Sequence, residues 1–219
     1  MTHARNSHAM LAASLLILGS IAYAKFDGNK PGVAPDAALK VIKTGNTRFV
    51  TGFPERPNQT PDHRAKVAQK QTPHTVVVTC SDSRLSPELI FDQGIGDLFV
   101  VRTAGNTVDA ENLGSVEYAT AVLGARLVVV LGHNKCGAVD AAMKGGKLPG
   151  NIPAVVKPIQ NALPKTKCSL DEAIAINVKA VEATLAKKNK LTADMVKRGQ
   201  IQVKGAVYDL ASGKVRFID

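Results

Sequence analysis

Thr75-Val76-Val77-Val78-Thr79-Cys80 is the stretch on which the fold turns. Five consecutive β-branched residues without polar alternation read as a short strand buried on both faces. Leu98-Phe99-Val100-Val101 and Leu127-Val128-Val129-Val130-Leu131 have the same character. Between these two runs, Leu113, Val116, Thr120 and Leu123 keep helical spacing, and Gly124 closes the segment. Strands alternating with helices predict an α/β fold, with an open, mostly parallel sheet flanked by helices.

Outward from that centre, Leu39, Ile42, Phe49 and Val50 predict an amphipathic N-terminal helical arm from Asp36 to near Gly52. Thr60-Pro61-Asp62 supplies the cap, first-turn proline and early acid of a second helix, which should stop before Pro73. Ser169-Leu170-Asp171-Glu172 is a capping-box sequence, and it introduces Ile174, Val178, Val181 and Leu185 along one helix face. Val203, Ala206-Val207-Tyr208 and Val215-Arg216-Phe217, separated by Ala211-Ser212-Gly213, read as a C-terminal hairpin. Residues 36–219 are expected to form a single domain, preceded by a linker over 25–35.

The first 24 residues have the layout of a secretory signal peptide. A short polar start carries Arg5 and no acid, an apolar run extends from Met10 to Ile21, and Ala22-Tyr23-Ala24 is a small-x-small cleavage pattern. An uncleaved anchor is the alternative, but the run falls short of the roughly 18 residues of a span. The expectation is cleavage near Ala24, a periplasmic or secreted product, and no stable membrane anchor afterwards. The formal charge of +10 belongs to lysines spread along the chain without interleaved aromatics. That pattern suits a solvated helix face better than a nucleic-acid groove, so no nucleic-acid partner is expected. Three cysteines in 219 residues exclude a disulfide scaffold.

Sites in open parallel sheets form beyond the carboxyl ends of strands. One predicted strand runs into Cys80-Ser81-Asp82-Ser83-Arg84, and another into Gly132-His133-Asn134-Lys135-Cys136. Two thiolates and an imidazole suit zinc, and three protein ligands leave a fourth position for water, as in catalytic sites. Such a zinc carries about zero net charge, so acidifying its water needs outside help. Arg84 can hold Asp82 in a charge-assisted pair, and Asp82 can then accept the proton of zinc-bound hydroxide. Released from Arg84, Asp82 could instead become a fourth ligand in a closed state. Taken singly, Cys80 and Cys136 could be buried small hydrophobes, Asp82 and Ser83 turn residues, Arg84 a surface ion pair and His133 a satisfied strand-end histidine. Their joint placement favours a metal site. Cys168 lies outside both clusters and reads as a bystander.

Cys80-Ser81-Asp82-Ser83-Arg84 with His133-x-x-Cys136 resembles the β-class carbonic anhydrases. The likeness extends over 71–143, including Asp97–Asn106 and Glu117-Tyr118-Ala119, and returns at Gly205–Asp209. The resemblance implies reversible hydration of CO2 to bicarbonate and a proton through zinc-bound hydroxide, with one Zn2+ per subunit on Cys80, His133 and Cys136. It further implies Asp82 and Arg84 as a catalytic dyad, and a homodimer or homotetramer with sites near the subunit interface. Gln71, Phe99 and Tyr118 match positions lining the CO2 pocket of plant-like members, although core or helix-end roles would also account for them. Some bacterial members carry a tryptophan three residues before the first ligand cysteine, within a regulatory bicarbonate site. Here that position is Val77 and the chain has no tryptophan, while Leu85 stands where such members tend to have valine. These departures favour an Asp82–Arg84 pair that leaves zinc open. Two other readings keep the metal: hydrolysis of CS2 or COS, and a non-catalytic zinc-binding module.

Overall fold

The computed structural model describes residues 32–218, so the expected leader and most of the linker lie outside the described residues. Among the described residues five strands form one sheet in the order β2-β1-β3-β4-β5. β1 (Thr75–Thr79) pairs in parallel with both β2 (Leu98–Arg102) and β3 (Leu127–His133). β3 pairs in parallel with β4 (Gln202–Tyr208), and β5 (Val215–Ile218) returns antiparallel to β4. The expected hairpin is therefore present, but its first strand is also a member of the parallel sheet.

Side-chain alternation divides the core between two faces. Val77, Val129 and Leu131 pack with Ala38, Ile42, Val139 and Ile159 on one side. Val76, Val78, Val128 and Val130 pack with Val116, Val181, Leu185 and Met195 on the other. Both faces of β1 and β3 are fully buried, as the unbroken apolar runs require.

The helical arm α1 (Pro35–Thr51) ends on Gly52, whose φ of +78° forms a left-handed cap. Buried Asn46 docks it: the amide donates to the Ile90 and Gly213 carbonyls and accepts from Val215 N–H. α2 (Pro61–Gln69) is capped by Thr60, as its sequence predicts. The short α3 (Pro87–Ile90) precedes β2. α4 (Ala110–Glu117) continues through a π-helical turn, Tyr118–Val122, before Gly124 ends it.

α5 (Gly137–Lys144) and α6 (Ile152–Ala162) occupy a stretch for which no helix is predicted. α7 (Leu170–Ala183) begins with both hydrogen bonds of the capping box, Ser169 to Glu172 and back. A second π turn, Thr184–Lys188, leads into α8 (Lys190–Lys197). Among the described residues no helix is long and apolar enough to cross a membrane.

Strand order determines where a site can form. The chain leaves β1 for β2 on one side, then returns to place β3 on the other. The connections diverge at the carboxyl ends of β1 and β3, which opens a crevice there.

Candidate metal centre

Cys80 follows the last residue of β1, and His133 is the last residue of β3. Register aligns Thr79 with Leu131, so the two residues emerge from neighbouring strands at the same edge. Thr79 Oγ1 fastens that edge by donating to the Leu131 carbonyl at 2.8 Å. Cys136 comes three residues later, at the N-cap of α5, after Lys135 has turned the chain at φ +54°.

Cys80 Sγ, Cys136 Sγ and a ring nitrogen of His133 lie within 4.8 Å of one another, and all three residues are buried. A tetrahedral zinc with bonds of about 2.0–2.3 Å needs donor separations of roughly 3.5–3.8 Å, so a small inward shift completes the triangle. His133 Nδ1 lies 2.8 Å from the Asn134 carbonyl. A carbonyl only accepts, so Nδ1 carries the proton and Nε2 presents its lone pair. Nε2 is buried and has no hydrogen-bond partner, the mark of a ligand nitrogen awaiting a cation.

The two sulfurs point the same way. The hydrogen bond with Cys136 pulls the Cys80 thiol well below its ordinary range, and the Gly105 N–H adds to the effect against burial. The same bond, together with burial, pushes the Cys136 thiol up, against the pull of the Val139 and Ala138 amides at the start of α5. A thiophilic divalent cation removes this conflict by accepting both as thiolates. The donor set fits zinc.

Asp82 stands at the rim. Its carboxylate accepts a two-pronged pair from Arg84, Nε to Oδ1 at 2.8 Å and Nη2 to Oδ2 at 2.7 Å, and Arg84 N–H adds a third bond at 3.0 Å. Those bonds hold the Asp82 carboxyl well below the usual carboxylate range. Its Oδ2 lies 3.8 Å from His133 Nε2, close enough to face a molecule bound at the centre. The Arg84 side chain is 53% exposed and Asp82 17%, so the pair spans from site to solvent.

These features coincide with known proteins. Residues 75–215 match the family model described as carbonic anhydrase. The chain belongs to the carbonic anhydrase family. It is 41% identical over 201 residues to carbonic anhydrase 2 of Mycobacterium tuberculosis, covering 86% of this chain and 95% of that one. Its fold is similar to the Coccomyxa β-carbonic anhydrase solved with acetazolamide, at TM-score 0.66 and 28% identity, over 70% of this chain and 75% of the other. Tetrameric β-carbonic anhydrases of Sordaria macrospora share the fold at TM-score 0.64 and 24% identity, over 80% and 93% of the chains. Membership in the β class makes the protein an enzyme, a lyase.

The three residues matched to a carbonic anhydrase CO2 pocket do not gather at the thiolates of their own chain. Gln71 and Tyr118 line a groove of about 860 Å³ with His74, Ile95, Leu98 and Val122. His74 and Leu98 stand at the amino ends of β1 and β2, so this groove opens at the edge opposite Cys80. Phe99 is paired with Val76 and packs into the sheet face away from Val77. Val77 itself is wholly buried in the core.

Arg102 and Gly105 escaped the site prediction. Arg102 leaves the end of β2 and donates to the Asp82 carbonyl at 2.9 Å and the Cys80 carbonyl at 3.3 Å, bracing the loop that carries both. A single arginine closing an apolar strand run was the available signal. Gly105 N–H donates to Cys80 Sγ at 3.2 Å. Residue type carries no signal for a backbone donor.

Proposed function

We propose that the protein catalyses the reversible hydration of CO2 to bicarbonate and a proton, with one zinc per subunit held by Cys80, His133 and Cys136. The observation that carries this reading is the convergence of two buried sulfurs and an unpartnered imidazole nitrogen beside an ionised Asp82. A zinc ion held there would supply Lewis acidity, making water a nucleophile near neutral pH. His133 contributes Nε2 because Asn134 holds the proton on Nδ1. Asp82 accepts a hydrogen bond from the reacting water at Oδ2 and turns its lone pair toward the carbon of CO2. Arg84 keeps Asp82 ionised and turned away from direct ligation. The two-pronged Asp82–Arg84 geometry supports an open fourth position rather than the closed, non-catalytic arrangement.

The same reading includes a symmetric dimer as the unit of assembly. Ile95, Tyr118 and Val122 are 45–49% exposed around the groove at the amino edge of the sheet, and Val33 adds to the same apolar rim. A contiguous apolar surface of this kind marks a protein contact. In the dimer, Gln71 and Tyr118 of the partner subunit complete a pocket for CO2 that one chain leaves unfinished. We also read residues 1–24 as a leader removed on export. Sequencing the protein recovered from its own cells should start at Lys25, and a start at the initiator methionine would contradict this.

Stopped-flow hydration of CO2 by the zinc-loaded mature protein tests the activity. The expected result is rapid acidification of an indicator buffer, with turnover of CO2 far above that of CS2. Acidification no faster than buffer alone would remove the proposal, and preferential turnover of CS2 would replace the substrate.

A further inference from the structure

The donor strength of a metal thiolate depends on what its sulfur accepts, and here one of those donors is held from a distance. Gly105 N–H reaches Cys80 Sγ at 3.2 Å inside the core. Gly105 has φ +70°, and a Cβ there would meet Ile159 Cδ1 at 2.6 Å, so glycine presents its amide here without strain or displacement of Ile159. The turn is tied on both sides of the glycine. Asn106 N–H donates to the Thr103 carbonyl at 2.8 Å. The Gly105 carbonyl accepts from Asn177 Nδ2, also at 2.8 Å. Asn177 is 2% exposed on α7, and its side-chain amide is spent on this carbonyl.

We propose that Asn177 is a positioning residue of the metal centre: by holding the Gly105 carbonyl, it keeps the Gly105 N–H trained on Cys80 Sγ and so sets that sulfur's donor strength toward the metal. The assignment rests on the reading of Cys80, His133 and Cys136 as metal ligands. Its physical basis is the cost of an orphaned carbonyl. Without Asn177 the buried Gly105 oxygen lacks its donor, and the turn relieves that penalty by moving toward water, which withdraws the amide from the sulfur. Leucine at 177 has nearly the shape of asparagine but no hydrogen to donate, so it should have the same effect.

Cobalt substituted for zinc reports on the thiolates through their charge-transfer absorption. Wild type, Asn177→Leu and Asn177→Ala should each bind one cobalt, with the charge-transfer band displaced in both variants. Metal release to a chelator should be about tenfold faster in the variants, the scale typical of lost outer-sphere bonds. Asn177→Val, which likewise has no hydrogen to donate, substitutes for either variant that fails to fold. Val181→Ala, a core truncation further along α7, serves as a control: it should lower the unfolding temperature yet keep the wild-type band and release rate. Variants at 177 that keep both wild-type properties would overturn this proposal alone. A wild-type protein that takes up no cobalt would overturn the metal reading along with it.

Discussion

Arg84 and Cys80 share one short loop, yet their losses should differ. Cys80→Ser and His133→Ala remove donors from a three-ligand set, so both zinc and activity should disappear. Arg84→Ala leaves the donors untouched and frees Asp82, so one zinc should be retained while kcat falls about 10²-fold, the low end for a misplaced acid–base group. Metal analysis beside CO2 hydration separates the two cases, and loss of zinc from Arg84→Ala would contradict the assigned roles. At this scale the sequence was informative where chemistry is carried by rare side chains. Two of three cysteines and one histidine follow apolar strand runs, which already places Cys80, His133 and Cys136 at one sheet edge. Gly105 and Asn177 were not legible, because their contributions are a backbone N–H and a distant amide. Neither acquires meaning until α7 is laid against the turn.

At the scale of elements, α1 depends on a buried charge. Asp92 is 3% exposed; its carboxylate accepts from Arg48 Nε and from the backbone N–H groups of Glu55 and Arg56, so it ties the end of α1 to the following loop. Burial by itself would raise the Asp92 carboxyl, but Arg48 and the two amides outweigh it and hold the carboxyl below its ordinary value. A carboxyl lowered in the folded state takes up protons more readily in the unfolded chain. Its stabilisation is therefore complete above the ordinary carboxylate range and fades as pH falls through the folded value. Asp92→Ala should cost about 3 kcal/mol at neutral pH, the scale of a broken buried pair. Denaturant unfolding followed from pH 7 downward should show the gap to wild type narrowing in acid, and parallel curves would contradict this.

The strands and the capped helices α2 and α7 were readable because their signals are local: β-branched runs, Thr60, Ser169 and Glu172. α5 and α6 were not. Gly145, Gly146 and Gly150 crowd the segment between them, and Pro158 lies inside α6, where packing of Val156 and Ile159 overrides its breaking tendency.

For the whole molecule, the parallel sheet and its flanking layers followed from the order of elements, whereas the arrangement of the pocket residues did not. Gln71, Phe99 and Tyr118 are spread over the amino edge and one sheet face of a single chain, and a proposed second subunit is what brings Gln71 and Tyr118 to a site. Val122→Asp sets a charge into the apolar rim of that groove without touching any ligand. It should give a monomer by sedimentation, with zinc retained and CO2 hydration reduced at least tenfold, the scale of a lost hot spot. A dimer of unchanged mass and activity would remove this face from the interface.

The convergence of two sulfurs and one imidazole on a single ion is tested most directly by X-ray absorption at the zinc edge of the purified protein. Two sulfur scatterers near about 2.3 Å and two nitrogen or oxygen scatterers near about 2.0 Å are expected, one of the latter with the outer-shell pattern of imidazole. A zinc shell without sulfur, or a protein that retains no zinc, would contradict the account.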